Sequence, residues 1–498
     1  MGTIINGSII LSILQTLLFW DRQLGISVFL FTTIGILFLI YVLFKQKKIQ
    51  NKKALLFSIP IILLSATYFI FNNSFFRFTN IIAILLLTGT MCIYATKTKV
   101  KMPQFIKNMV ELCIGALEGM QEVTQSLKKY KKEESEKQEK IKKIGKSILI
   151  ILPIVLLVVF LLMSADSIFA NMFEGITQAI KELTTSRGTF LFIMRIISIV
   201  IVFFFIAGYL LNIVQENTLF TRKHEQENTK GIQIESMTIN MMLTVLNIIY
   251  SIFCTIQIAN LFTQIGNTEN FDYAQYARQG FFQLMFVSII NFAILVISNS
   301  NKKEQTHKQK IYTKGMSILI LIFTIIIIIS AFFRMNLYEQ EYGYTYLRLF
   351  VYYILATELL LMIPCFITII GKKIDILKTS IIIITMMYII INFSNIDSTI
   401  AKKNVDRYLK NETEREIDIS YLKECTGTDA LPELTRLLEA KDEKIVENIV
   451  GHLYREKIEL EEEKTKWQEF NLSKNRAKEV LKELNKYNNY IYTNAGGK

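Results

Sequence analysis

Proline, cysteine and histidine are scarce in this sequence of 498 residues, which contains five prolines, five cysteines and three histidines. No two cysteines are spaced as CxxC, and the histidines are far apart, so neither a zinc site nor a redox pair is predicted. The cysteines are Cys92, Cys113, Cys254, Cys365 and Cys425, and the histidines are His224, His307 and His452. We therefore expect no metal site.

The sequence motifs of common enzymes are also absent. There is no HExxH, no GxSxG and no Gly-rich phosphate loop, and no apolar segment carries paired aspartates. No cofactor is expected, and the sequence favours a protein that is not an enzyme. Charged residues at predicted helix ends leave one enzymatic alternative open, which is action on lipid-linked substrates at a membrane surface.

Long apolar segments are abundant, and 51% of the residues are hydrophobic. A helix of ~20 apolar residues crosses the ~30 Å hydrocarbon layer, where lipid offers no partners for backbone groups. We predict an all-α polytopic transmembrane bundle of about eleven spans, or ten if the first does not cross, with a small C-terminal helical module. The predicted spans are 3–20, 26–44, 54–71, 78–95, 147–164, 189–212, 237–262, 280–298, 315–333, 347–369 and 379–395.

The placement of lysine and arginine predicts the orientation in the membrane. Alternate loops between the spans hold 29 basic residues, whereas the intervening loops hold six. Cytoplasmic loops are the basic ones, so we expect a cytoplasmic N-terminus and an extracytoplasmic C-terminal tail in a bacterial cell membrane. The tail would be cytoplasmic instead if the last segment, 379–395, re-enters rather than crosses.

Four regions are predicted along the chain. The segment after the fourth span combines helical apolar spacing, starting at Pro103, with a lysine-rich second half. It is typical of a helix on an anionic membrane surface, and it is also a candidate docking site for a cytoplasmic partner. The net charge of +13 is explained by the basic loops, so no nucleic acid is expected. The regions are N-terminal membrane helices at 1–95, a cytoplasmic insert at 96–146, the main membrane bundle at 147–395 and a soluble tail at 396–498.

Polar residues in or beside the spans are the candidates for a binding site, because charge in lipid is costly. Arg195 and Glu358 lie within spans, and Arg195 is a candidate partner for Glu358. Others gather where outer segments meet the membrane, and they are Asp166, Arg278, Arg334, Tyr338, Tyr342 and Arg348. An aromatic belt with snorkelling arginines explains such a group structurally. The alternative is an outward-facing pocket formed by Arg278, Arg348 and the tyrosines.

Five ordered motifs resemble a family of bacterial polytopic membrane proteins known only as a domain of unknown function, the DUF4153/DUF4173 group. The motifs are "SADSIFA" (164–170), "YAQYARQGFF" (273–282), "FRMNLYEQEYGYTYLRL" (333–349), "IDSTIAKKNVDRYL" (396–409) and "WQEFNLSKNRAKEVL" (467–481). Ser167, Gln275 and Gln283 depart from the usual proline and glutamates of the pattern. The resemblance implies a membrane-embedded fold and lends no reaction.

Two functions from different classes follow from these features. The first is a non-enzymatic envelope sensor or scaffold, with the outer pocket near Arg278, Arg348 and Tyr342. The alternative is a transporter of a small solute or ion that uses Glu358 and Arg195. The expected surroundings are the lipid bilayer, and the oligomeric state is left open.

Overall fold

The computed structural model describes residues 2–97, 187–215, 235–264, 281–300, 306–410 and 417–487, together with parts of 100–123. Helices account for nearly all of the regular structure in these ranges, and no strand occurs in them. The membrane helices are α1 (Gly2–Phe19), α2 (Ile26–Lys45), α3 (Ser58–Ile70), α4 (Ser74–Thr96), α5 (Arg187–Gln215), α6 (Ser236–Gln264), α7 (Phe281–Ser300), α8 (His307–Tyr342), α9 (Tyr346–Ile370) and α10 (Ile376–Phe393). The tail helices are α11 (Ile396–Leu409), α12 (Ile419–Cys425), α13 (Leu431–Leu434), α14 (Glu443–Glu462) and α15 (Leu472–Leu481).

Ten of the predicted spans are confirmed, because ten helices in the described ranges are long and apolar enough to cross a membrane. In this count α3 is extended to Lys52–Ile70 by the 3-10 turn Lys52–Phe57 that leads into it. The remaining predicted span, 147–164, lies outside the described residues. The first predicted span, despite its polar residues, is a helix of 18 residues with a mean hydropathy of 1.6. The chain is therefore an all-α polytopic membrane protein.

Helix α8 is much longer than the predicted span 315–333. It has 36 residues, which corresponds to ~54 Å at 1.5 Å per residue and exceeds the hydrocarbon layer. A capping box starts it, in which Thr306 accepts from the backbone of Gln309 and the Gln309 side chain accepts in return. Gly343 ends it with φ of 78°. The apolar run alone does not predict this length, because the helix continues through polar turns at both of its ends.

The described residues belong to two compact units. Unit 1 contains Met1–Arg22, Thr33–Gln50 and Ile106–His224, and unit 2 contains Gln23–Thr32, Asn51–Phe105 and Glu225–Lys498. In unit 1, α1 packs against α5. A Cβ at Gly7 would overlap the ring of Phe38, which explains why α1 has glycine where this aromatic side chain approaches it.

In unit 2, helices α6 to α9 alternate in direction around a shared apolar core. Asn240 on α6 accepts a hydrogen bond from Thr313 on α8, and Gln257 accepts one from Ser330. Both pairs are separated by 73 residues, so α6 and α8 run parallel, while α7 and α9 run the opposite way. Buried Leu243, Leu295, Ile320 and Leu355 belong to the core between them.

The tail is helical, as the sequence predicts, and its hydrophobic core also includes Phe76 of α4 and Ile391 of α10. Ile449 and Leu453 of α14, and Ala477 and Leu481 of α15, are buried in one cluster with residues of α11. Thr428 and Ser473 have side chains suited to an N-cap and lie near the starts of α13 and α15, but neither caps these helices. Asn471 caps α15 through Lys474 N–H, and Ala430 precedes α13 without a side-chain cap. The hydroxyls of Thr428 and Ser473 instead hydrogen-bond each other at 3.0 Å.

The connections of unit 2 gather at two opposite ends. At one, which we call the tail end, the loop 71–73, the turn 343–345 and the tail contact one another. At the other, Lys314 Nζ donates to the Ile370 carbonyl, and Lys378 lies over the Tyr94 ring. The lysines of the loop 370–378 therefore lie at the end opposite the tail.

Candidate functional site

The tight connection between α8 and α9 is the centre of the candidate site. The last turn of α8 carries Glu339 and Glu341 and no basic residue, although the C-terminal end of a helix favours positive charge. Its terminal carbonyls also have no partners within the helix. Two arginines from other helices, Arg348 and Arg407, supply this end of α8 with positive charge and with hydrogen-bond donors for its carbonyls.

Arg348, on the first turn of α9, folds back onto the end of α8. Its Nη1 donates to the carbonyl of Tyr342 at 2.9 Å and also to that of Gly343. The guanidinium lies 4.4 Å from the ring centre of Tyr338 and 5.7 Å from that of Tyr342. Arg348 is only 8% exposed, so the aromatic faces and the carbonyls replace the water around this charge. Three of the predicted site residues are thus in direct contact.

Arg407 of α11 caps the same helix end from the tail. Its Nη1 donates to the carbonyl of Glu339 at 2.9 Å, and its Nη2 donates to that of Gln340. The side chain of Glu339 is buried and accepts a hydrogen bond of 3.0 Å from the Tyr352 hydroxyl. The tail therefore supplies the second positive charge that the end of α8 requires.

The tail also binds the backbone at the start of α9. Asn404 pairs with Tyr344 through both amide atoms, with Nδ2 donating to the carbonyl and Oδ1 accepting from the N–H. The Tyr421 hydroxyl accepts from Tyr346 N–H at 2.9 Å. Thr345 makes no side-chain cap for α9, so these tail residues take its place. We call Asn404, Arg407 and Tyr421 the capping residues. The term also includes Asn471, a tail residue that caps the end of α3.

Asn471 caps a third membrane helix. Its Nδ2 donates to the carbonyls of Tyr68 and Phe71 at the end of α3, at 3.0 and 2.9 Å. Asn471 is 3% exposed. Unpaired backbone groups near lipid cost several kcal/mol each, and here a tail residue 400 and 403 positions away satisfies two of them.

A buried pair of aspartates lies beside these contacts. Asn73, the N-cap of α4, donates from Nδ2 to Asp397 at 3.0 Å and to the Tyr346 hydroxyl at 2.6 Å. Asp429 accepts from Asn72 N–H at 2.7 Å. Burial and the nearby charge of Asp429 raise the pKa of Asp397 to about 7. Burial likewise raises the pKa of Asp429, against the lowering effect of its hydrogen bonds.

A small cavity adjoins this pair. It is lined in part by Thr67, Asn73, Arg77, Asn392 and Asp429, and its volume is about 10 Å³. That is close to the space that one water molecule needs. In the described ranges, no group of three His, Cys, Asp or Glu side chains is placed to hold a metal ion.

A second polar region runs along α6, α7, α8 and α9 inside the membrane bundle. Near its middle, the Tyr250 hydroxyl donates to Asn291 at 2.6 Å, and Asn291 donates to Thr324 at 3.0 Å. One turn away, Ser288 donates to Glu358 at 2.5 Å. We call these five residues the polar seam. Glu358 is buried, and its Oε1 has no hydrogen-bond partner in the part of the chain described.

Further polar contacts lie between the polar seam and the tail end of the bundle. There, Arg334 on α8 donates to Gln257 of α6 at 2.9 Å, and Ser330 donates to the same oxygen at 3.1 Å. Towards the opposite end, Asn247 donates to the carbonyl of Met316 at 3.1 Å. Polar side chains therefore recur over most of the length of the bundle.

The predicted site residues are distributed over three places. Tyr338, Tyr342 and Arg348 meet at the turn, and Arg334 lies one turn before Tyr338 on α8. Glu358 is ten residues beyond Arg348 on α9, or ~15 Å along the axis. Arg195 is half-buried on α5 in unit 1, so its pairing with Glu358 stays a prediction. Asp166 and Arg278 lie outside the described residues, and so does most of the insert 96–146.

The sequence patterns do not predict a site at the capping residues or at the aspartate pair. Asp397, Asn404, Arg407 and Asn471 do lie within the two C-terminal motifs, which was the available signal. Nothing in the sequence around Asn72 and Asn73 indicates a functional site, because the pattern there is that of a short connection between two spans.

Comparison with known proteins gives one match. No curated protein and no solved structure matches the chain. The pattern of the family described as "Domain of unknown function (DUF4153)" matches residues 58–437. This range contains α3, the turn between α8 and α9, the polar seam and α11. The match covers more than half of the sequence, and the chain belongs to this family, DUF4153.

Proposed function

We propose that the protein is a non-enzymatic scaffold or sensor of the bacterial cell envelope. In this proposal the tail lies outside the cytoplasm, the basic loops lie inside, and the insert 96–146 meets a cytoplasmic partner. One observation carries the proposal, namely that tail side chains cap the ends of three membrane helices. A force or ligand that moves the tail must then change the backbone contacts of α3, α8 and α9.

The turn between α8 and α9 is the proposed receiving surface. Tyr342 is exposed, while the neighbouring Arg348 is held by carbonyls and rings. Arg278 would complete an outward-facing pocket with these two, and Asp166 would supply a nearby counter-charge. The exposed ring gives a ligand a contact, and the buried guanidinium links that contact to the end of α8.

The proposal is tested by affinity purification of the tagged full-length protein from cross-linked native membranes. We expect a partner that is lost on deletion of 96–146 and retained on deletion of 488–498, the matched control. Arg348→Ala should reduce its recovery if the turn transmits a signal. Recovery of the same proteins from all variants, at equal yield, would contradict the proposal.

Transport of a small solute or ion is the second candidate, and the polar seam favours it. Buried carboxyl groups inside membrane bundles commonly mark ion or proton paths. Glu358 would bind the ion or proton near the middle of the bundle, and Arg195 is its proposed partner. The seam offers hydroxyl and amide groups on both sides of this position.

Vesicles reconstituted with purified protein and loaded with a pH-sensitive dye test this alternative. Glu358→Gln should abolish proton-coupled flux without loss of the folded protein. Glu461→Gln, which changes an exposed tail residue, should leave the flux unchanged. Equal flux through the wild type and Glu358→Gln would argue against transport by this route.

A further inference from the structure

The tail presents two exposed aromatic rings on one short segment. Trp467 is 63% exposed and Phe470 is 40% exposed. Together with Ile458, they are the large apolar side chains that the described part of the tail leaves exposed. Elsewhere in the described part of the tail such side chains are buried or partly buried, so this segment requires a separate explanation.

The segment is attached to the point where α2 begins. Ile26 N–H, at the first residue of α2, donates to the carbonyl of Phe470 at 3.2 Å. Gln23 N–H donates to the Glu469 side chain at 3.0 Å. The chain approaches so closely that a Cβ at Gly25 would lie 2.6 Å from the backbone of Glu469. Because α2 is a membrane span, these contacts place the segment at the depth where that span leaves the bilayer.

A second attachment fixes the other side of the segment. Asn471, the next residue after Phe470, donates to the carbonyls that end α3. The segment is therefore held beside the ends of two spans. Side chains that are exposed at this depth face the headgroup region of the membrane, where tryptophan is enriched because its ring is apolar and its N–H needs a partner.

The charges next to the rings fit the same surroundings. Lys464 and Lys466 are exposed and lie three residues and one residue before Trp467. Basic side chains near an anionic membrane surface are attracted to its headgroups. Aromatic rings flanked by lysines match a phospholipid interface better than they match a dry protein surface, because lysine is depleted from protein interfaces.

We propose that residues 464–470 are a lipid anchor that inserts Trp467 and Phe470 into the headgroup region of the leaflet at the tail end. The ligand is the phospholipid interface, with the two lysines on its phosphate groups. The anchor stands independently of the proposed function and of which leaflet the tail faces. It would hold the tail at a fixed height above the capping residues.

The composition of the chain gives a clean test, since Trp20 and Trp467 are its two tryptophans. The variant Trp20→Phe leaves Trp467 as the fluorescent reporter. The full-length variant is reconstituted into phosphatidylcholine–phosphatidylglycerol vesicles, with and without phospholipids brominated near the top of the acyl chains. We expect strong quenching by the brominated lipid and weak quenching by aqueous iodide, and Lys464→Gln with Lys466→Gln should reduce the lipid quenching.

A matched control places the reporter at the far end of α14. In the triple variant W20F/W467F/K441W, the tryptophan is at an exposed position ~30 Å along the helix from Glu462. It should show the reverse pattern, with quenching by iodide and none by lipid. If Trp467 itself behaves in this way, the segment faces water and the proposal fails. Shielding of Trp467 from both quenchers would indicate a covering protein surface, and it would overturn the lipid assignment.

Discussion

The amide of Asn404 and the backbone of Tyr344 form a two-way pair, in which Nδ2 donates to the carbonyl at 2.8 Å and the N–H donates to Oδ1 at 2.9 Å. Tyr344 lies in the turn between two membrane helices, and Asn404 lies on the first tail helix. The pair resembles a rung of a β-ladder made by a side chain. It therefore ties the tail to the membrane bundle through main-chain geometry, independently of which side chain occupies position 344.

Loss of this pair should loosen the tail. Asn404→Ala removes the two hydrogen bonds to the partly buried backbone of Tyr344, which should cost about 1–3 kcal/mol. Pulse proteolysis in detergent at increasing urea measures the free energy of tail release. Lys402→Ala, an exposed change on the same helix, should shift it by less than about 0.5 kcal/mol. Equal midpoints for the two variants would show that Asn404 does not hold the tail.

Any side chain at position 343 should destabilise the turn between α8 and α9. The φ of 78° lies in the left-handed region, and an added Cβ would lie 2.6 Å from Oδ1 of Asn404. Gly343→Ala should therefore destabilise the docked tail by about 1–3 kcal/mol. Gly451→Ala, in the open face of α14 with no atom within 4 Å, should stabilise the tail by about 0.5–1 kcal/mol. Thermal unfolding of both variants gives opposite shifts if the turn has the described geometry.

Docking of the tail should weaken as the pH rises from about 4 to about 7. The pKa of Asp397 is raised to about 7 in the docked tail, whereas a solvated aspartate has a pKa of about 4. Between these values the docked state holds a proton that the released state gives up, so the stability from this group is lost as the pH rises. The charged group that faces Asp397 is Asp429, and the Asn73 side chain and the Gly427 N–H donate hydrogen bonds to Asp397.

Asp397→Asn isolates this contribution. Burial lowers the pKa of His452 to about 4, which removes stability as the pH falls from about 6.5 to about 4 and opposes the effect of Asp397. The difference in unfolding temperature between wild type and Asp397→Asn cancels the His452 effect. It should grow in favour of the variant as the pH rises through this window. Parallel curves would mean that Asp397 titrates as in water.

The orientation is open to cysteine labelling in intact cells. With native cysteines replaced, Lys441→Cys in the tail should react with an impermeant maleimide added outside. Lys373→Cys, an exposed position at the opposite end of unit 2, should react after permeabilisation only. The reverse pattern would place the tail in the cytoplasm and would invert the topology that the lysines predict.

The apolar runs predict most of the fold, because a membrane-spanning helix can be recognised in a sequence by its length and its apolar composition. The length of α8 was not predictable in this way, since its last two turns are polar and end at Gly343 by tail contacts. Local rules also do not determine the cap of α15, because Asn471 and Ser473 both have side chains suited to a cap. Asn471 takes the cap position, and Ser473 pairs with Thr428. A cap is a tertiary outcome when several suitable residues stand close together.

The candidate site was predicted in part. The clustering of Arg348 with Tyr338 and Tyr342 follows from helical spacing around one turn, so the sequence could indicate it. The contacts of Asn72 with Asp429, and of Asn471 with Tyr68, join residues more than 350 positions apart. No periodicity links such positions, and only the folded chain brings them together.

The central claim is that the tail caps the membrane helices directly, and one cross-link tests it. Asn72 Nδ2 lies 3.0 Å from the Thr428 hydroxyl, so Asn72→Cys with Thr428→Cys should form a disulfide on mild oxidation. A protease site inserted between residues 410 and 417 then separates the two halves of the chain on a denaturing gel. We predict that the cut protein runs as one reducible band, whereas Asn72→Cys with Lys441→Cys separates into two. Two fragments from both pairs would contradict the account.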